Sequence, residues 1–234
     1  MDKDGADLVL KWYLDLEGRF EVLLQTVPLT PDTEKVFLPG LSSIILEACS
    51  LLDTVLRDGY GGASKAKDAN IRDYAKYYEP KLKLSKARTI FYHHQGRLVC
   101  PFEKWLSSSG EYEPLQWWQS YNKLKHDRIA SYSLSTFRTA LLALASLHLV
   151  ISRLPVFVDS LLRHNMICFG KWADRYVLSV LRGEDSGSDV TVMIESSLFG
   201  TPAGNAEFPE LITEIRPWVF ESGRKLWRYI GSRY

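Results

Sequence analysis

Between Arg138 and Arg153 runs TALLALASLHLVIS, 14 residues without a formal charge. Phe137, Leu141, Leu142, Leu144, Leu147, Val150 and Ile151 cover most of the circumference of the helix this stretch predicts, which leaves no wide polar stripe. A bilayer span needs about 20 such residues. The stretch is therefore too short to cross a membrane, no membrane segment is expected, and it reads as the central helix of a packed bundle. A helix apolar all round must be enclosed by amphipathic partners, with Ser133 or Ser135 as its expected cap.

Those partners are legible upstream. From Ala6 to about Val27 the residues Leu8, Leu10, Trp12, Leu16, Phe20, Leu23, Leu24 and Val27 recur mainly at threes and fours, and Pro28 and Pro31 end the pattern. Pro39-Gly40 and a possible Ser42 cap announce a second helix through Ile44, Ile45, Ala48, Leu51, Leu52, Val55 and Leu56, stopped by Asp58-Gly59. The two are expected to pair antiparallel. GYGGASKAKDAN reads as a connection, and NIRDYAKYYEP as a helix that ends before Pro80.

The texture then changes. TIFYHHQGRLVCPF places β-branched and aromatic residues on both sides of Gln95-Gly96, a hairpin signal for a β-ribbon near residues 84–102. Beyond Pro155, VFVDSLLRH and ADRYVLSVLRG read as short helices, GEDSGSD as a loop, VTVMI as a strand and VFESGRKLWRYI as a hairpin around Ser222-Gly223. The expected organisation is a helical bundle over 1–155 carrying the ribbon as an insert. A small mixed α/β extension over 156–234 would pack on it.

Composition narrows the chemistry. With 29 Lys and Arg against 28 Asp and Glu the formal charge is +1, so any polyanion site must be local. Cys49, Cys100 and Cys168 have no paired spacing, which speaks against a disulfide framework or structural zinc and for a reducing compartment. The start MDKDGADLVLKW lacks the basic-then-apolar pattern of a secretory signal, and a cytoplasmic setting is expected. GYGG lacks the Lys-Ser/Thr ending of a P-loop, LFGTPAG lacks strand-turn-helix context, and no Gly-x-Ser-x-Gly elbow occurs, so no cofactor is expected.

The densest cluster of polar and aromatic types is QWWQSYNKLKHDR, residues 116–128, read as a helix entered after Pro114. Helical spacing places Trp117, Tyr121, Leu124 and Arg128 on one side and lines up Asn122 with His126 on another. One account makes the aromatics core residues, has Asn122 and His126 bond to nearby backbone, and leaves the lysines in water. The other makes a site: His126 exchanges protons near neutral pH, Arg128 offers a fork to phosphate, Lys123 and Lys125 act as point charges, and Trp118 or Tyr121 stacks on a base.

YNKLKH resembles the signature of the HEPN superfamily (higher eukaryotes and prokaryotes nucleotide-binding). In that pattern an Arg and a following Asn or other polar residue precede a His about four to six residues beyond, on neighbouring turns of one helix. Asn122 and His126 match the second and last positions, and Tyr121 stands where the Arg belongs. The order of elements over roughly residues 5 to 155 is also similar. The resemblance implies an HEPN-like helical bundle that forms a homodimer, with two motif helices brought together over RNA. It further implies a metal-independent ribonuclease of a bacterial defence or toxin-antitoxin type, with an antitoxin or other partner protein. On this reading His126 is the catalytic acid or base, Asn122 orients it or the substrate, and Lys125, Arg128, Tyr121 and Trp118 bind substrate. Tyr121 lacks the positive charge that stabilises the transition state in active relatives. A non-catalytic nucleotide- or RNA-binding module, or a scaffold, is the alternative.

Other histidines read differently. RTIFYH, Arg88 to His93, has the same nominal spacing in strand-like sequence, where the side chains do not line up, and His93-His94 lacks a neighbouring carboxylate or cysteine ligand, so no metal is expected. His148 reads as a core histidine donating to a backbone carbonyl or a facing side chain, and His164 as a helix-end residue. The terminal RPWVFESGRKLWRYIGSRY interleaves basic and aromatic residues, a composition suited either to single-stranded nucleic acid or to a packed hairpin.

Overall fold

The computed structural model describes residues 1–61, 69–93, 97–106, 110–168, 175–184 and 191–204. The expected terminal hairpin, the Gln95-Gly96 turn and His94 lie outside the described residues. The fold is mainly α, with seven helices and one small antiparallel sheet among the described residues.

Helix α1 (Lys3–Thr26) starts where the Asp2 carboxylate accepts from the Gly5 amide, and it ends before Pro28, which has no amide hydrogen to continue it. Helix α2 (Pro39–Asp58) begins with proline at its first position, where the missing donor costs nothing. Ser42 is not its cap. It lies inside the first turns, buried, with a hydroxyl that finds no hydrogen-bond partner among the described residues. The two helices run antiparallel, as the Arg19–Glu47 and Met1–Asp58 ion pairs at opposite ends require. α2 is long and apolar enough to span a bilayer, and here it packs against α1 and three later helices.

Helix α3 (Ile71–Leu82) opens with a reciprocal capping box between Asn70 and Asp73. It carries Pro80 in its last turn rather than ending before it; near a C-terminus the ring removes only one helical bond, and Lys83 closes the helix in the left-handed region at φ 47°. Helix α4 (Gln116–His126) packs on α2 and on α5 (Phe137–Arg153). The cap of α5 is Thr136, which accepts from the Thr139 amide, and neither Ser133 nor Ser135 takes that place. As expected, α5 is the centre: its buried residues lie on all sides, against α1, α2, α4 and the sheet. Short helices α6 (Val158–Arg163) and α7 (Arg175–Leu181) follow.

The sheet has the order β2-β1-β5-β4-β3, built from β1 (Thr89–Phe91), β2 (Arg97–Val99), β3 (Ile167–Cys168), β4 (Thr191–Glu195) and β5 (Phe199–Gly204). β1 and β2 form the expected hairpin, with Thr89 opposite Val99 and Phe91 opposite Arg97. It is not a free-standing insert. β1 also pairs with β5, Ile90 opposite Gly200, so the ribbon and the segment beyond residue 155 share one set of backbone hydrogen bonds. The reason is that a two-stranded ribbon alone is marginal in water, and three or more strands backed by a helix bury one face. LFGTPAG is thus the central strand of the sheet. Gly200 permits it, because a Cβ there would collide with the Tyr92 hydroxyl that donates to Glu195.

Candidate functional site

The residues singled out on α4 divide between core and surface. Trp117, Trp118, Tyr121 and Leu124 are buried. Trp117 donates its indole N–H to the Pro101 carbonyl at 2.8 Å and meets Phe102 and Trp118 edge to face, while Trp118 tilts against Tyr121 with ring centroids 5.0 Å apart. The adjacent tryptophans therefore belong to a continuous aromatic layer from Phe102 to Tyr121. Trp118 and Tyr121, expected to bind substrate, are 6% and 4% exposed and packed against each other, so neither presents an open ring at the surface.

Tyr121 turns inward, beside Cys49, Asp53 and Arg57 of α2, and burial pushes its hydroxyl up to about 12. It supplies no charge at the surface. Asn122, Lys123, Lys125 and His126 occupy the opposite, solvent-facing side. Neither the Asn122 nor the His126 side chain hydrogen-bonds another described residue, so among those residues the expected backbone partners are not found. Lys125 holds its ammonium 5.6 Å from the centroid of the Tyr121 ring. Lys123 has no ion pair among the described residues.

Arg128 departs from the helical spacing used to place it. α4 stops at His126; Asp127 caps it through its amide to Lys123, and the Asp127 carboxylate accepts from Ala130 to turn the chain. Arg128 and Ile129 then stand exposed on that turn rather than on the Tyr121 side of the helix. The free carbonyls at this end concentrate about half a negative charge. Lys123, Lys125 and Arg128 outweigh it, leaving a small cationic surface with Asn122 and His126 within it. Among the described residues this surface is open and forms no crevice.

A second polar cluster, buried, was only half legible. His148 of α5 places Nδ1 2.8 Å from the Thr201 hydroxyl, which donates to Thr89, whose hydroxyl donates in turn to the Gly200 carbonyl. Counting protons along that chain makes Nδ1 the protonated nitrogen and Nε2 an acceptor, for which no hydrogen-bond partner is present among the described residues. Burial lowers the imidazole to about 3, so it is neutral. Nearby, the Glu17 carboxyl accepts from the Leu198 amide at 2.8 Å and from the Ser196 hydroxyl at 2.6 Å, and Ser196 lies 3.2 Å from the Tyr13 hydroxyl. Burial raises Glu17 to about 7 against these hydrogen bonds. The facing side chain expected for His148 is Thr201. Glu17 escaped notice, although an acid sharing a helical stripe with Tyr13, Phe20 and Leu24 was the available signal.

His164 closes α6 with Nε2 3.3 Å from Asp7. Arg88 and His93 flank β1 and do not come together as a pair; Arg88 donates to the Cys100 sulfur at 2.7 Å. The chain matches no protein-family model, no characterised protein and no solved structure.

Proposed function

We propose that this chain is an HEPN-like, RNA-directed protein that contacts the nucleic-acid backbone through the C-terminal end of α4. The observation that carries the reading is the exposed stripe of Asn122 and His126 flanked by Lys123, Lys125 and Arg128, none engaged with a carboxylate of another described residue. Cations held in water by a rigid helix end are cheap to transfer to phosphate, because no existing ion pair has to break. Arg128 would grip two phosphate oxygens with its fork, and Lys123 and Lys125 would act as point charges. Binding is the reading favoured over turnover, since Tyr121 is buried where the family places an Arg.

A ribonuclease is the second reading. It rests on the free imidazole of His126 one turn from the free carboxamide of Asn122. An open surface does not exclude water or hold a phosphorane, so cleavage would need a homodimer, two α4 ends facing one another across the RNA strand. His126 would deprotonate the ribose 2′-hydroxyl or protonate the leaving oxygen, with Lys125 and Arg128 compensating the charge that develops. An antitoxin-like partner would occupy the same surface.

Fluorescence anisotropy with single-stranded RNA across a salt series tests binding. Arg128→Ala and Lys123→Ala should each weaken affinity and reduce the slope of log affinity against log salt by about 0.7. An unchanged slope removes those residues from the interface, and no affinity at low salt leaves only a protein-contact scaffold. For turnover, His126→Ala should abolish cleavage in a metal-free assay while the protein stays folded and dimeric.

A further inference from the structure

Helix α1 carries two stripes. Leu10, Tyr13, Phe20 and Leu24 are buried in the core. On the opposite side Leu8, Trp12, Asp15, Arg19, Val22 and Thr26 follow one another at alternating intervals of four and three residues, and this row lies at the surface. Leu8, Trp12 and Val22 are 48%, 52% and 61% exposed; they are three of the six large hydrophobic residues exposed among the described residues, so apolar exposure concentrates on this row. Beside Trp12 an open groove runs between α1 and α2, lined by Leu16, Leu46 and Leu51. On the flank of the row a Cβ at Gly18 would meet nothing within 4 Å, so no described contact inside the chain calls for the smallest residue in mid-helix.

One apolar stripe suffices to dock α1 on its own bundle, and a second at coiled-coil spacing is what a helix uses to pair with another helix. The charges at the centre of the row choose the partner. Two copies with α1 parallel would set Asp15 on Asp15 and Arg19 on Arg19. Related by a two-fold axis with α1 antiparallel, Asp15 meets Arg19 of the second copy, Trp12 meets Val22, and Leu8 meets Thr26. Arg19 is held at the seam by bonds to Glu47 at 2.9 and 3.1 Å, whereas Asp15 lies 3.5 Å from it with its side chain 66% exposed and acceptor capacity to spare. We propose that this row is a dimer seam closed by a second copy of the chain, its α1 antiparallel to the first, with Val22 of each copy entering the groove beside Trp12 of the other. Gly18 lets the two backbones approach near the axis. A row that complements its own reverse selects a copy of itself over an unrelated helix. This face shares no residue with the α4 surface and stands or falls separately from the RNA reading.

Sedimentation velocity of the full chain over a concentration series tests it. A single helix seam stands at the small end of specific interfaces, so the wild type should pass from monomer to dimer with a Kd of about 1–100 µM. Val22→Lys and Asp15→Arg, both at exposed positions, should each raise that Kd at least about tenfold, with the circular dichroism spectrum unchanged. Asp15→Arg and Arg19→Glu, each pairing poorly alone, should form a heterodimer when mixed, because opposite charges then meet across the seam. Should Arg19→Glu lose its fold with its bond to Glu47, Val22→Lys and Asp15→Arg decide the matter by themselves. The proposal is overturned if the wild type is still monomeric at about 200 µM, if a dimer forms as tightly with Val22→Lys and with Asp15→Arg as without them, which places it on another face, or if the two folded charge variants form no heterodimer.

Discussion

Glu17 and His148 both neighbour Tyr13, and their shifts oppose one another. Glu17 rises from 4.5 to about 7, so the folded state holds its proton more tightly than the unfolded chain, and stability falls as pH climbs through that interval. His148 drops from 6.5 to about 3, so the unfolded chain takes up a proton that the folded state refuses, and stability falls as pH descends from 6.5. Between 4.5 and 6.5 the two slopes nearly cancel. Glu17→Gln keeps an acceptor for the Leu198 amide and removes the titration. In urea unfolding it should gain about 1–3 kcal/mol over the wild type at pH 8 and show an uncovered loss of stability below pH 6.5. Parallel curves for the two proteins would refute the assignment of Glu17. His148 was legible as a core residue because the run around it is apolar. Its partner was not, since Thr201 is 53 residues away and only the sheet brings it near.

Helix periodicity found the buried side of α4 correctly, with Trp117, Tyr121 and Leu124 inward and Asn122 and His126 outward. It misjudged Arg128 because a wheel does not know where the helix stops. The same limitation affected the caps. Ser133, Ser135 and Thr136 are similar in chemistry and close in sequence, and only backbone geometry decides that the Thr136 hydroxyl meets the Thr139 amide. Thr136→Ala should therefore cost about 1 kcal/mol and lower the Tm by several degrees. Ser135→Ala should leave stability unchanged or raise it, because the Ser135 hydroxyl is buried without a hydrogen-bond partner among the described residues. Equal losses at both positions in thermal denaturation would mean that the cap is shared.

In the whole molecule, the bundle and the sheet are joined by side chains rather than by adjacency in sequence. Glu34, nearly buried, pairs with Arg97 of β2 and with Arg138 of α5, and Glu17 of α1 holds the β4–β5 turn. Tyr92 donates its amide to Leu198 at 2.8 Å, which stitches the early hairpin to the late strands. Native-state hydrogen exchange should then find the Tyr92 amide opening together with those of β4 and β5. Rapid exchange at Tyr92 beside a protected Ile194 would instead mark the hairpin as an independent unit. The sequence by itself determined the helices, their apolar faces and the central position of α5, because local periodicity and proline placement act within a few turns of chain. Only the tertiary structure decided which strands share a sheet and that Thr201 comes to face His148. Each depends on residues far apart in sequence competing for the same buried surface, and no local pattern records the outcome of that competition.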